Sequence, residues 1–157
     1  MGERVYSTSV AAEWIDYNGH LRDAHYGLIV SLACDAMIER LGMSAAYRER
    51  TGNSLYTMEM HIHFLKEVKQ GDIVCVDVRV LGMDQKRLHM AFDLMREADG
   101  VAVASAELML LHVHQGANVT AVHFPPEVAG AIGKLAASTA GASEVGPGSR
   151  RIELRRR

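Results

Sequence analysis

One long amphipathic helix followed by a series of alternating strands restricts this chain to few architectures. From Asp23 to Leu41 apolar residues recur at helical spacing and form one broad face. Asp23 is a natural N-cap and Gly42 a natural stop, so the sequence predicts a helix of about five turns at 3.6 residues per turn. The face consists of Leu28, Ile29, Leu32, Ala33, Ala36, Met37 and Leu41.

Most of the remaining chain has the period of β-strands. Apolar and polar residues alternate in four segments, and the breaks between them contain glycine, which favours antiparallel hairpins. An extended segment precedes the long helix, and two shorter helices are predicted after it. The predicted elements in chain order are a strand in residues 1–10, the long helix, a helix at 45–50, strands at 55–65, 74–82, 88–94 and 101–113, and a helix at 127–137.

This order of elements predicts an α+β fold, with an antiparallel sheet of about five strands wrapped around one long helix. One helix cannot cover both broad faces of such a sheet, so we expect a homo-oligomer, either a dimer or a tetramer. The length of 157 residues suits a single domain. We assign 1–138 to that domain and 139–157, rich in Gly, Ser and Ala at its start, to a flexible C-terminal tail.

Composition and missing motifs exclude several functional classes. A net charge of -2 gives no general affinity for nucleic acid, and no apolar stretch approaches the ~18 residues of a membrane span. Cys34 and Cys75 show no paired spacing and no signal peptide is evident, so a soluble cytoplasmic protein with reduced thiols is expected. No nucleophile elbow, Walker loop, dinucleotide-binding motif or C-x-x-C is present, and we expect neither a metal nor a cofactor.

The densest polar constellation is the turn Asp16-Tyr17-Asn18-Gly19-His20, which leads directly into the long helix. Free N–H groups and the dipole at a helix N-terminus stabilise negative charge by roughly 0.3–1 kcal/mol at exposed sites. An acyl-transfer reaction needs such stabilisation for its developing oxyanion. Asp16 can therefore be a catalytic carboxylate beside an oxyanion site, or simply the cap of an Asx turn. Spacing alone leaves both interpretations open.

The string Asp16-Tyr17-Asn18-Gly19-His20 ahead of a helix resembles the Asp-x-x-Gly-His signature of hotdog-fold acyl-CoA thioesterases of the 4-hydroxybenzoyl-CoA thioesterase type. The order of elements agrees with that family over residues 5–137. The segments 13–20, 59–62, 86–89 and 109–113 look, more narrowly, like the betainyl-CoA thioesterase branch of carnitine degradation. Arg22 departs from the pattern, because many relatives have Asn at this position, and it leaves the choice of substrate open.

The resemblance implies hydrolysis of a short acyl-CoA thioester, with betainyl-CoA as the most specific expectation. Asp16 would attack the thioester carbonyl or activate a water, and the N–H groups of Asp23 and Ala24 would polarise that carbonyl. A thiolate leaves readily, so no strong general acid is required. The residues expected to contact the substrate are Trp14, Tyr17, Asn18, His20 and Thr57.

A second carboxylate is expected on the strand predicted at 55–65. Simple alternation places Glu59 and Thr57 on one face with His61 and His63, away from the apolar residues. In dimers of the family this strand tends to line the pocket of the partner subunit, so Glu59 would orient the attacking water. The alternative is a surface or ion-paired glutamate.

Lys86 and Arg87 are the residues expected to bind the phosphates of coenzyme A, and Lys66 and Lys69 could also meet them. The alternative for each is a solvated surface charge. Coenzyme A enters as part of the substrate, which is the only partner expected besides further copies of the chain.

Four other interpretations remain open. The pairs His61-x-His63 and His112-x-His114 would bind a metal if their strands brought them together. Cys34 is a weak candidate nucleophile, because it falls on the packed side of the helix. Trp14, Tyr17, Tyr26 and Tyr56 could surround a quaternary ammonium group. An alternative of a different class is a non-catalytic module of the same fold that binds an acyl-CoA or another small ligand.

Overall fold

The computed structural model describes residues 2–142 and residue 144. Its elements are β1 (Glu3–Ser9), α1 (Asp23–Arg40), α2 (Ala45–Thr51), β2 (Asn53–Phe64), β3 (Ile73–Met83), β4 (Arg87–Arg96), β5 (Val101–Gln115), β6 (Val119–Ala121) and α3 (Pro126–Ser138), with a 3-10 turn at Ala12–Trp14. The three predicted helices and five predicted strands are all present. The three-residue strand β6 was not predicted.

The strands form one antiparallel sheet in the order β1-β3-β4-β5-β2. The short strand β6 pairs with the C-terminal end of β5. The apolar face of α1 is buried against one face of this sheet, as the sequence predicts. In that core Ile29, Val30 and Met37 of the helix have no exposed surface. They share one hydrophobic cluster with buried residues of β4 and β5, among them Leu88, Met90, Phe92, Leu94, Leu108 and Leu110.

The start of α1 differs by one residue from the prediction. The N-cap is Arg22, which has an extended backbone and makes no side-chain cap, and Asp23 is the first helical residue. The Asp23 carboxylate does accept a hydrogen bond at this helix end, from the backbone N–H of Ala24 at 2.8 Å. Asp23 therefore supplies negative charge to the first turn, where the helix dipole favours it.

A β-bulge at Met58 overturns the predicted face of Thr57. The register places Thr57 opposite Leu110 and Glu59 opposite Met109, so the two strands are out of step by one residue. Because directly opposite residues share a face, Thr57 lies on the side covered by α1 and Glu59 lies on the other side. The expectation that these two residues share a face is wrong, since alternation cannot reveal an inserted residue.

Part of the predicted tail belongs to the folded domain. Thr139 is buried, and its hydroxyl accepts a hydrogen bond from the backbone N–H of Val80 and donates one to the carbonyl of Leu135. Most of the rest of 139–157 lies outside the described residues.

In the described part of the chain no helix is long and apolar enough to cross a membrane. The cytoplasmic location stays a prediction.

The face of the sheet opposite α1 contains a buried ion pair. The Arg79 guanidinium donates to both carboxylate oxygens of Asp93, at 2.9 and 3.3 Å, and the two side chains are only 7% and 5% exposed. Burial raises the pKa of Asp93 even though Arg79 and its hydrogen bonds oppose that rise. The pair therefore depends on both partners, because either charge alone would be left in a poorly solvated place.

Removing one partner of this pair should destabilise the protein strongly. We expect Asp93→Ala to lower the free energy of unfolding by about 3–5 kcal/mol, whereas the double substitution Arg79→Met/Asp93→Leu recovers most of the loss. Asp99→Ala, which breaks the more exposed pair with Arg96, is the matched control and should cost at most about 1 kcal/mol. Urea denaturation measures all three variants. Equal losses for Asp93→Ala and Asp99→Ala would contradict the assignment.

Candidate active site

The loop before α1 is closed by its own backbone. The N–H of Asp16 donates to the carbonyl of His20 at 2.8 Å, and the N–H of Gly19 donates to the carbonyl of Asp16 at 3.0 Å. Gly19 has a positive φ of 78°, a conformation that glycine adopts without strain. The loop is tied to the rest of the fold because the N–H of Leu21 donates to the carbonyl of Val68 at 2.8 Å. This closure fixes the position of the Asp16 side chain.

The Asp16 carboxylate is held by one of its two oxygens. Its Oδ1 accepts the N–H of Asn18 at 2.8 Å and the N–H of His20 at 3.3 Å, while no described residue donates to Oδ2. Desolvation raises the pKa of Asp16, but the hydrogen bonds from His20 and Asn18 and the nearby charges of His20 and Arg22 outweigh it, and the net pKa lies below the ordinary value. Asp16 thus caps the Asx turn through Oδ1, and its Oδ2, which no described residue contacts as a donor, can face a substrate or a water molecule.

Asp16 lines a groove of about 560 Å³ between the start of α1 and the segment that follows β2. The hydroxyl of Tyr26, a residue only 4% exposed, donates to the carbonyl of Lys66 at 3.3 Å and joins these two walls. The lining residues are Asp16, Tyr17, His20, Leu21, Arg22, Asp23, Tyr26, Phe64, Leu65, Lys66 and Glu67. The groove therefore combines the ionised carboxylate of Asp16, a helix N-terminus and three aromatic rings, those of Tyr17, Tyr26 and Phe64.

The structure brings some of the predicted residues into this groove and leaves others beside it. Asp16, Tyr17, His20 and Asp23 line the groove. Trp14, Asn18 and Ala24 belong to the same loop and helix start without lining it. Trp14 stacks on the ring of His25, with 5.3 Å between ring centroids, so one face of its indole is already occupied.

Four predicted residues lie away from the groove within one chain. Lys86 directly precedes β4 and Arg87 is its first residue. Arg87 pairs with Leu111, whereas Phe64 at the groove pairs with Ala104. Seven residues of β5 separate these positions, roughly 23 Å at 3.3 Å per residue. The Arg87 guanidinium is also paired with Asp84, whose pKa is lowered to about 2 chiefly by the N–H of Lys86 and by Arg87. Thr57 and Glu59 lie on the edge strand β2, outside the groove lining.

The groove residues that the sequence analysis missed include Phe64 and Glu67. Glu67 Oε2 contacts His20 Nε2 at 3.1 Å, and the Glu67 side chain is 70% exposed. The Phe64 ring is 56% exposed and stands edge-on to Tyr26. No local pattern marks either residue, because they meet the Asp16 loop only through the packing of β2 against α1.

The histidine pairs do not form a metal site. His112 is fully buried, with Nδ1 3.1 Å from the carbonyl of Val122 and Nε2 2.9 Å from the hydroxyl of Tyr47. The carbonyl can only accept, so Nδ1 carries the proton and Nε2 accepts from the tyrosine. His61 stacks on His63 farther along the neighbouring strand. Within the described residues no group of three or more His, Cys, Asp or Glu could hold a metal ion.

Neither Cys34 nor Tyr56 takes part in the groove. Cys34 is buried, and desolvation, with a smaller effect from Asp35, raises the pKa of its thiol to about 12, which leaves it un-ionised and unsuited to act as a nucleophile. The hydroxyl of Tyr56 accepts a hydrogen bond from the side-chain amide of Gln115 at the far end of β2. The predicted aromatic cage thus does not include Tyr56.

Comparison with known proteins assigns the class. Residues 10–132 match the Thioesterase-like superfamily. A betainyl-CoA thioesterase of Pseudomonas aeruginosa is 49% identical over 109 residues, which are 69% of either chain. An L-carnitine dehydrogenase/betainyl-CoA thioesterase of Agrobacterium fabrum is 40% identical over 97% of this chain, and the chain spans 31% of that longer protein.

Solved structures show the same architecture. A putative thioesterase from Pseudomonas putida has a TM-score of 0.85 and 36% identity, with 99% of both chains covered. A hypothetical protein of Staphylococcus aureus, in complex with CoA, has a TM-score of 0.87 and 26% identity, with 99% of this chain and 98% of that chain covered. The predicted hotdog fold is confirmed.

The chain belongs to the thioesterase-like superfamily. It is an acyl-CoA thioesterase, an enzyme that hydrolyses the thioester bond of an acyl-CoA.

The ionisation of Asp16 gives a direct test of the site geometry. Because its pKa in the folded protein is lowered, NMR titration of the Asp16 carboxyl carbon should give a midpoint below the ordinary aspartate value of 3.8. The stabilisation from its two N–H bonds is then complete above pH 3.8 and is lost as the pH falls through the lowered pKa. A midpoint at or above 3.8 would mean that the loop is not closed around this carboxylate.

Proposed function

We propose that this protein hydrolyses betainyl-CoA to betaine and coenzyme A, with Asp16 as the catalytic carboxylate. The observation that carries the proposal is the placement of an ionised, backbone-held carboxylate in a groove at the start of an 18-residue helix. The names of the relatives in Pseudomonas aeruginosa and Agrobacterium fabrum support the choice of acyl group.

Two routes use the same geometry. In the first, Asp16 Oδ2 attacks the carbonyl carbon, the C–S bond breaks, and the thiolate takes a proton from water; a water then hydrolyses the mixed anhydride and regenerates the carboxylate. In the second, Asp16 removes a proton from an attacking water and passes it to the departing thiolate. Both give one betaine and one coenzyme A.

The start of α1 is the proposed oxyanion site. The N–H of Ala24 donates to Asp23 Oδ1 at 2.8 Å, and this contact with an anionic oxygen supports the proposal. A developing oxyanion would take the place of the Asp23 carboxylate, and the helix dipole adds to its stabilisation. We propose the N–H groups of Asp23 and Ala24 for this role.

We also propose a homodimer formed along the free edge of β2. This strand is 12 residues long and lies at the end of the sheet, and among the described residues it pairs with one strand, β5. Met58 and Met60 of this edge are 57% and 40% exposed, which is unusual for large apolar side chains. A partner across this edge is also required if Lys86, Arg87 or Glu59 is to approach the groove, because none of them reaches it within one chain.

Asp16→Asn is expected to abolish most of the activity without unfolding the protein. The amide oxygen can still accept the N–H groups of Asn18 and His20, but it neither attacks a carbonyl nor removes a proton from water. We expect kcat for betainyl-CoA to fall by roughly 10²–10⁴-fold, measured by release of free thiol, with the melting temperature little changed. Asp35→Asn, an exposed change on α1 outside the groove, is the matched control. Full turnover in a folded Asp16→Asn variant would refute the assignment of Asp16.

The oligomeric state can be tested at the β2 edge. Sedimentation velocity should give twice the mass of the chain, and Met58→Lys/Met60→Lys should shift it towards the monomer, because charged side chains on an edge disfavour strand pairing. Met83→Lys, at an equally exposed methionine that ends β3, should leave the dimer intact. A monomeric wild-type protein would contradict the proposed dimer.

A further inference from the structure

The wall of the groove opposite the Asp16 loop carries a carboxylate, Glu67, in addition to those of Asp16 and Asp23, and it lies near the exposed ring of Phe64. Glu67 and Phe64 both line the groove, and both follow or end β2. Tyr17, on the loop side, is 93% exposed. An anionic oxygen together with exposed aromatic faces is the combination that attracts an alkylated ammonium group, since such a cation forms no hydrogen bonds and gains from charge and from the π-face.

We infer that Glu67 and Phe64 form the subsite for a cationic acyl group, so that Glu67 selects a quaternary ammonium acyl-CoA over a neutral acyl-CoA of the same shape. The inference rests on the proposed thioesterase function of the same groove. It assigns the choice of substrate to residues outside the Asp-x-x-Gly-His loop.

One residue, His20, contacts the carboxylates of both Asp16 and Glu67. The backbone N–H of His20 is 3.3 Å from Asp16 Oδ1, and the ring Nε2 of the same residue is 3.1 Å from Glu67 Oε2. Asp16 and Glu67 are thus bridged by a single residue. In a betainyl group one methylene joins the carbonyl carbon to the ammonium nitrogen, so a carbonyl held next to Asp16 keeps its cation within a side-chain length. Glu67 is separated from Asp16 by the His20 side chain and its two contacts, and it lies on the same groove.

The contact with His20 leaves Glu67 available to a ligand. It uses Oε2, and the side chain remains largely open to solvent. The contact also orients the carboxylate, because one oxygen is held while the other stays free. The ring of Phe64 is similarly fixed by its edge-on contact with Tyr26, at 5.2 Å between centroids, while more than half of its surface stays open.

Arg22 and Lys66 line the same groove and carry a positive charge, opposite to that of Glu67. Their charges suit the anionic coenzyme A part, which every acyl-CoA shares. Preference for a cationic acyl group must therefore be measured between two substrates that differ in the acyl group alone. Betainyl-CoA and 3,3-dimethylbutyryl-CoA form such a pair, because a quaternary carbon replaces the quaternary nitrogen and the shape is retained.

The test compares kcat/KM for these two substrates in the full-length wild type and in Glu67→Gln, by release of free thiol. We expect the ratio of betainyl-CoA to its neutral isostere to fall by roughly five- to tenfold in the variant, the effect of one partly exposed charge near a cation. Activity on the neutral isostere should fall by a smaller factor than activity on betainyl-CoA, because the isostere has no charge for Glu67 to attract. Phe64→Leu should lower the ratio by a smaller factor, because the apolar bulk remains but the π-face is lost. Glu49→Gln, on exposed α2, is the matched control.

Two outcomes would overturn the inference: an unchanged ratio in Glu67→Gln, or an equal loss on both substrates, which would show that Glu67 only positions His20. Failure of the proposed function gives a different result, namely no hydrolysis of either substrate by the wild type. In that case dissociation constants for the two compounds, measured in Asp16→Asn and Asp16→Asn/Glu67→Gln, still decide whether Glu67 selects the cation. Equal discrimination in those two variants would refute it.

Discussion

The burial of one face of α1 against the antiparallel sheet determines where the polar groups of this protein can lie. Ile29, Val30 and Met37 are fully covered, so the helix can neither rotate nor slide without exposing them. The N-terminus of α1 is consequently held at one end of the sheet, beside the segment that follows β2. The hydrogen bond from Leu21 to Val68 and that from Tyr26 to Lys66 secure this arrangement. The packing of α1 therefore also fixes the position of the Asp16 loop, which directly precedes this helix.

The two interpretations of Asp16 turn out to be compatible. Its Oδ1 caps the loop, and this use of one oxygen keeps the carboxylate ionised and oriented while Oδ2 stays unbonded among the described residues. A side chain that is fixed by the backbone loses little entropy when it reacts, which is the advantage of a preorganised site.

The features that the sequence predicted correctly depend on residues close together in the chain. The features that it missed depend on contacts between segments far apart in the chain. Helix α1, the turn at Asn18-Gly19 and the strands follow from periodicity and from glycine residues at the breaks, each within at most 18 consecutive residues. The bulge at Met58 inserts a residue that alternation cannot detect, so Thr57 was assigned to the wrong face. Lys86 and Arg87 were joined to the site by charge, and within one chain the strand register places them away from the groove, so their contact with coenzyme A stays a prediction. Glu67 is 51 positions from Asp16 and becomes its neighbour only through His20.

The central claim is that this fold hydrolyses an acyl-CoA at the Asp16 groove. The most direct test presents the wild-type protein with a panel of short acyl-CoA thioesters, betainyl-CoA among them, and follows free thiol. The account predicts thiol release in proportion to enzyme concentration, with the highest kcat/KM for betainyl-CoA. No release above the buffer rate from any member of the panel would contradict it and would favour a module that binds acyl-CoA without turning it over.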